Sequence, residues 1–169
     1  MAQLISQVRY LGEMGTNLIG ITKRLLANQD LLKLLFYTDK DPLSQPPVTK
    51  QEAYRQGYDG VVRIVPIIDD MVELSRSVIT LRVLKGIPPA SNTEALDIYF
   101  AIEIFVPNSQ WIIKNDNLRP YAIMGEIQKS LENKEINGLG KIKGAGFESN
   151  FFTKEISCFV LKYQITQFN

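Results

Sequence analysis

Residues Ala95 to Pro107, ALDIYFAIEIFVP, alternate strictly between apolar and mixed positions. Leu96, Ile98, Phe100, Ile102, Ile104 and Val106 share one face, opposite Asp97, Tyr99, Ala101, Glu103 and Phe105. A period of two over this length predicts a β-strand with one buried face. Pro107 cannot donate to a ladder, so the strand ends there and Asn108-Ser109 turn the chain. SVITLRVLK, 77–85, predicts a second strand, and the connector GIPPASNTE, 86–94, makes the two antiparallel neighbours. VVRIVPII, 61–68, contains Pro66 and is confined to a sheet edge or a strand end. Phe159, Leu161, Tyr163 and Ile165, opposite Cys158, Val160, Lys162, Gln164 and Thr166, predict a closing strand within 155–168.

Helical spacing appears twice. Leu18, Ile21, Leu25, Leu32 and Leu35 mark an amphipathic helix over 18–37, capped at Thr16 or Asn17 and bent near Asn28-Gln29. Residues 1–15 suggest a short separate helix or arm, broken by Gly12 and Gly15. Ala122, Ile123, Ile127 and Leu131 mark a second helix entered at Pro120 and ending near Asn133. Residues 136–147 hold glycines at 138, 140, 144 and 146 and read as a loosely specified strand with bends. Residues 38–60 have no clear period, which marks a long loop or arm. The order predicts a single α+β domain: a mainly antiparallel sheet, two main helices packed on one face, and long protruding loops.

Composition narrows the chemistry. A length of 169 residues suits one domain, and a net charge of +1 supplies no general field for nucleic acid or acidic membranes. The chain has no histidine and one cysteine, so a Cys/His zinc site and an internal disulfide are excluded. No stretch reaches the roughly 18 to 20 apolar residues that span a bilayer, and the N-terminus lacks a secretory pattern. Those features predict a soluble chain that stays in the cell where it is made.

The remaining candidates are few. The four glycines follow a helix and lead into a strand, the reverse of a nucleotide-binding loop, and predict bends in an edge hairpin. Asp69, Asp70 and Glu73 form one acidic grouping, which a metal-dependent hydrolase would use. Asp97 and Glu103 form another, but lie about 20 Å apart at ~3.3 Å per residue, too far to share an ion. Cys158 has no base to activate it and reads as a packed residue. Lys134, Lys141, Lys143 and Lys154 make a candidate basic patch, which in a nucleic-acid-binding module would give salt-dependent affinity. Tyr54 and Tyr58 are amphipathic anchors of the interface type. Together with Pro88 and Pro89 in the connector, and Trp111 beyond the central strand, they form the candidate interface. No catalytic, cofactor-binding or metal set is expected.

The segment IFVPNSQWIIKNDNLRPYAIMGEIQKSLENKEINGLGKI resembles part of small structural proteins of tailed bacteriophages. The shared features are the strand ending in Val106-Pro107, the Trp111-Ile112-Ile113 step, the Leu118-Arg119-Pro120 helix start and Ile136-Asn137-Gly138. LANQDLLKLLFYTDKDPLSQP, just upstream, is similar in the same way. The group is that of head–tail connection and tail-terminator proteins. The resemblance implies a curved sheet backed by helices, a ring commonly of six copies, and a place in the neck or at the head-proximal end of the tail. Implied partners are further copies, tail tube and neck or connector proteins, and sheath subunits if the tail is contractile, with at most weak DNA contact in the lumen. It implies no enzyme activity and no membrane, and a virion subunit made in the host cytoplasm. Stopper and other neck rings are the nearest alternatives. The group works by surface contact, so no site residue carries over.

Overall fold

The computed structural model describes residues 2–54, 60–64, 74–87, 95–136 and 140–168, with side chains left aside at 2–13, 151, 167 and 168. β3 (Ala95–Pro107) is the centre of a five-stranded sheet. β2 (Val78–Ile87) lies antiparallel on one side and β7 (Ile156–Phe168) antiparallel on the other. β6 (Lys143–Phe151) pairs antiparallel with β7, and the two-residue β1 (Val62–Arg63) pairs parallel with β2. The order is therefore β1-β2-β3-β7-β6. The mainly antiparallel α+β architecture agrees with the alternation read from the sequence, as does the edge position of the strand before Pro66.

The helices depart from that reading. α1 runs continuously over Ala2–Leu25, through both Gly12 and Gly15. A glycine inside a helix costs only about 1 kcal/mol, and nothing lies within 4 Å of a Cβ built at Gly15. Thr16 and Asn17 therefore sit mid-helix rather than at a helix start. The break comes later, at Asn28, which takes extended backbone angles and accepts from the Leu31 N–H to open α2 (Gln29–Phe36). The other end of the same amide lies 3.1 Å from the Glu126 carbonyl and 2.9 Å from Ser130 Oγ on α4 (Arg119–Leu131). One side chain thus caps one helix and ties it to another.

α1, α2 and α4 all bury residues in one core on one face of the sheet, so three helices stand where two were expected. Leu25, Leu31, Leu32, Leu35, Ile123, Ile127 and Leu131 meet Phe100, Ile102, Ile104 and Phe159 there. Phe100 and Tyr163 stack with centroids 5.4 Å apart. Much of the stretch expected as a long arm is docked as well. It contains a 3-10 turn at Pro42–Ser44 and α3 (Lys50–Ala53), opened by a Thr49–Glu52 capping box. Val48 is buried, and Gln29 both donates to its carbonyl and accepts from its N–H at 3.0 Å.

The second face of the sheet is partly dry. Val78, Ala101, Phe105, Ile156, Cys158 and Val160 form a separate buried cluster, against which Leu74 and Phe152 pack. The Phe105 and Phe152 rings meet edge-on at 5.1 Å.

Candidate assembly surface

Arg119 is fully buried at the start of α4 and organises one rim of the molecule. Its Nη1 donates to the Leu34 and Tyr37 carbonyls at 2.7 Å, Nη2 to Asp39 O at 2.6 Å, and Nε to Gln110 O at 2.9 Å. Burial pulls the pKa of the guanidinium down while Asp39 opposes that, and a guanidinium stays charged throughout. Unpaired carbonyls at a helix C-terminus carry partial negative charge, so a cation placed there is favoured. The arginine therefore closes α2 and anchors the segment after it. Lys114 continues the seam, donating its N–H to Lys40 O and its ammonium to Asp41 Oδ2, both at 2.6 Å. That ammonium holds the Asp41 carboxyl below its ordinary range.

This seam supports a small antiparallel hairpin, β4 (Ile112–Ile113) and β5 (Asn117–Leu118). Its tip places Asn115 and Asp116 in succession at φ 62 and 55, a left-handed conformation that Asn and Asp adopt more readily than other non-glycine residues. Ile112 and Leu118 are cross-strand partners and both are exposed, Ile112 by 63%. Exposed Tyr121 adjoins them on α4. Beneath, the Phe159 ring lies 5.7 Å from Tyr121 and 5.9 Å from Trp111. Trp111 is half-buried on the main core, and its Nε1 has no hydrogen-bond partner. The three apolar side chains stand on a rigid base, an arrangement suited to a contact surface.

The sheet edges form the second feature. β6 closes one end of the sheet, and its residues 143–150 are all exposed, with Phe147 exposed by 64%. Ala145 and Gly146 together face the single residue Lys162 of β7, a one-residue bulge, and Gly146 takes φ +98. At the other end, β1 pairs with Ile79 and Thr80 of β2, and its Arg63 carbonyl takes the Leu81 N–H. Among the described residues no strand lies beside 82–87, and Leu84, Lys85, Gly86 and Ile87 are exposed.

The residues singled out in the sequence fall in different places. Tyr54 is half-buried and packs on the main core. Tyr58, Pro88, Pro89, Asp69, Asp70, Glu73 and Gly138 lie outside the described residues. Lys134 and Lys141 are exposed, the latter bridged to Glu135, and exposed Lys143 begins β6. Lys154 lies in the turn at the far end of β6, beyond about 25 Å of strand. The basic group is thus three lysines at one end and one at the other.

The carboxylates and the thiol are engaged structurally. Glu103 accepts from Thr80 Oγ1 at 3.0 Å and Arg82 Nη2 lies 2.7 Å from it, while Asp97 accepts from Thr166 Oγ1 at 2.7 Å. Among the described residues no group of three or more acidic or Cys side chains is placed to hold a metal ion. Burial first, and then the Glu103 charge, push the Cys158 thiol up to about 11, with Arg82 opposing. At neutral pH it is a protonated, packed side chain. Sequence reasoning missed the buried role of Arg119 and the exposed Ile112–Leu118 pair. It did place β1 and the glycine-rich hairpin at sheet edges, but the glycines obscured the register of β6.

No described helix is long and apolar enough to cross a membrane. No curated protein matches the chain. A family profile, that of YomW, matches residues 28–165, which takes in every described element from α2 through most of β7. The chain belongs to the YomW family, a phage-derived family.

Proposed function

We propose that this phage protein is a virion structural subunit, a tail terminator that forms a ring at the head-proximal end of the tail and joins it to the neck. The observation that carries the reading is where the resemblance falls on the fold. Val106-Pro107 ends the central strand, Trp111-Ile112-Ile113 enters the exposed hairpin, and Leu118-Arg119-Pro120 opens α4 with the buried arginine. These motifs build one rim and its apolar contact surface, and they serve contact rather than catalysis. The partners are further copies of the chain, tail tube and neck proteins. Lys134, Lys141 and Lys143 would supply at most a weak DNA contact in the lumen.

The test is native mass over a concentration series, with negative-stain images of the large species. A closed ring, particularly of six, is the expected result. A species that stays monomeric even with purified tails, yet retains DNA in a salt-sensitive way, would replace this reading with a nucleic-acid-binding module.

A further inference from the structure

We infer that the outer half of β6 is a self-pairing surface: residues 147–151 of one copy pair antiparallel with the same residues of a second copy about a two-fold axis. The inference is independent of the ring reading, since a two-fold contact ends at two copies and closes no ring.

The outer side of this strand is closed over its first part and open over the rest. The Ile142 N–H donates to Lys134 O at 3.0 Å, and Ile142 O accepts from the Asn133 N–H at 2.9 Å. The Gly144 N–H donates to the Glu132 carboxylate, 3.1 Å from Oε2. The bulge at Ala145-Gly146 follows. Covering segments, bulges, Lys and Pro are the usual guards of a sheet edge. Among the described residues the cover and the bulge stop there, and 147–151, FESNF, holds neither Lys nor Pro. Residues 147–150 are all exposed.

The hydrogen-bonding phase leaves that stretch ready for a partner. Ile156 O accepts from the Thr153 N–H at 3.2 Å, so the Ile156 backbone faces the β6 side of β7. Backbone groups alternate sides along a strand, so Cys158 and Val160 face β6, and their partners Asn150 and Glu148 face β7. Phe147, Ser149 and Phe151 therefore direct their N–H and C=O groups outward. Among the described residues, those of Phe147 and Ser149 have no hydrogen-bond partner.

The sequence of the strand favours its own copy as that partner, in one register. With Ser149 opposite its counterpart, Phe147 falls opposite Phe151, and each of these outward pairs exchanges hydrogen bonds. Glu148 falls opposite Asn150 on the face away from the helices. There the Asn150 amide is placed to donate to the Glu148 carboxylate, and the axis repeats the contact. Glu148 also binds Lys162 at 2.9 Å, so its charge is balanced within its own chain. The neighbouring two-fold registers fail. One sets the two Glu148 carboxylates directly opposite, with Cα atoms about 4.5 Å apart. The next sets Ser149 against the bulge at Ala145, and a slide the other way removes Phe147 from the pairing. The closed pair covers a backbone row that would otherwise template open-ended strand addition, and it brings the exposed Phe147 ring beside a neighbouring strand.

Single cysteines in the full chain test the register, in a Cys158→Ala background because Asn150 pairs with Cys158 on β7. Positions 148 and 150 form a non-hydrogen-bonded pair across the axis, with Cα atoms about 4.5 Å apart and within disulfide range. Glu148→Cys mixed with Asn150→Cys should give covalent dimers on mild oxidation, and neither variant alone should do so. Homodimers of Glu148→Cys would place those residues opposite each other and overturn the register. Rings in native mass without the mixed cross-link would overturn the edge pairing and leave the ring reading standing. Monomers at every concentration, again without the cross-link, would also overturn it. Ser149→Pro deletes an outward donor only, so it should abolish the wild-type dimer in native mass with an unchanged circular dichroism spectrum. Dimers of this variant at the wild-type level would overturn the proposal.

Discussion

Arg119 does at one position what several loop residues do elsewhere. Four carbonyls from three segments converge on its guanidinium, and their sequence separations of 80 to 85 residues on the α2 side make the contact wholly tertiary. Arg119→Met keeps the volume but strands those acceptors in a dry site. It should cost about 3–5 kcal/mol, read as a lower urea midpoint at unchanged slope. An unchanged midpoint would mean that water reaches the carbonyls. The sequence showed Arg119 only as part of a helix start, because backbone acceptors leave no mark in a sequence. Cys158 makes the opposite case, since its neighbours and the lack of any base already pointed to a packed thiol. Its folded pKa of about 11 stands above the ordinary 9.0. Its contribution to stability is complete below pH 9 and is lost as pH rises from there through 11, because the unfolded chain releases a proton that the folded chain retains. Cys158→Ala should flatten that decline by on the order of 2 kcal/mol in chemical denaturation between pH 8 and 11. An identical slope in the variant would assign the decline to other groups, of which Tyr163, also raised by burial, is the first candidate.

Among the elements, the long strands, the break near Asn28-Gln29 and the limits of α4 were legible, and the start of the first helix was not. Period-two alternation in 95–107 and 156–168 is long enough to fix both faces, and the observed register pairs them residue for residue. That start was misplaced because Gly12 and Gly15 are locally weak and yet continue α1, whereas at Asn28, where a bend was expected, tertiary contacts turn the bend into a break. Its amide reaches Glu126 and Ser130 on α4, which the local pattern does not contain. Asn28→Ala removes the cap and this tie together and should cost about 1–2 kcal/mol, with a matching fall in thermal midpoint. A loss below a few tenths would mean that α2 is held by its buried leucines alone. The second dry cluster escaped the sequence for a related reason. Ala101 and Phe105 sit among polar residues on their own strand face, and they are buried in the company of Val78, Ile156, Cys158 and Val160, with Leu74 and Phe152 packed against them.

At the scale of the whole molecule, the sheet is finished in its middle and, among the described residues, open at its ends. The α+β class followed from the order of patterns, whereas the contact surfaces did not. An exposed edge, or an apolar pair such as Ile112 and Leu118, exists only once strands have been ordered in space. The strand order has a consequence in time. Among the described residues β6 joins the sheet solely through β7, and β7 reaches the sheet solely through β3. A ribosome adds roughly 5–20 residues per second, and β7 is the last described strand to emerge. Until it does, β6 belongs to no sheet and presents no ordered row of donors and acceptors. Chains still being translated, on neighbouring ribosomes along one message, therefore carry no ordered β6 edge at the moment when they are most crowded together.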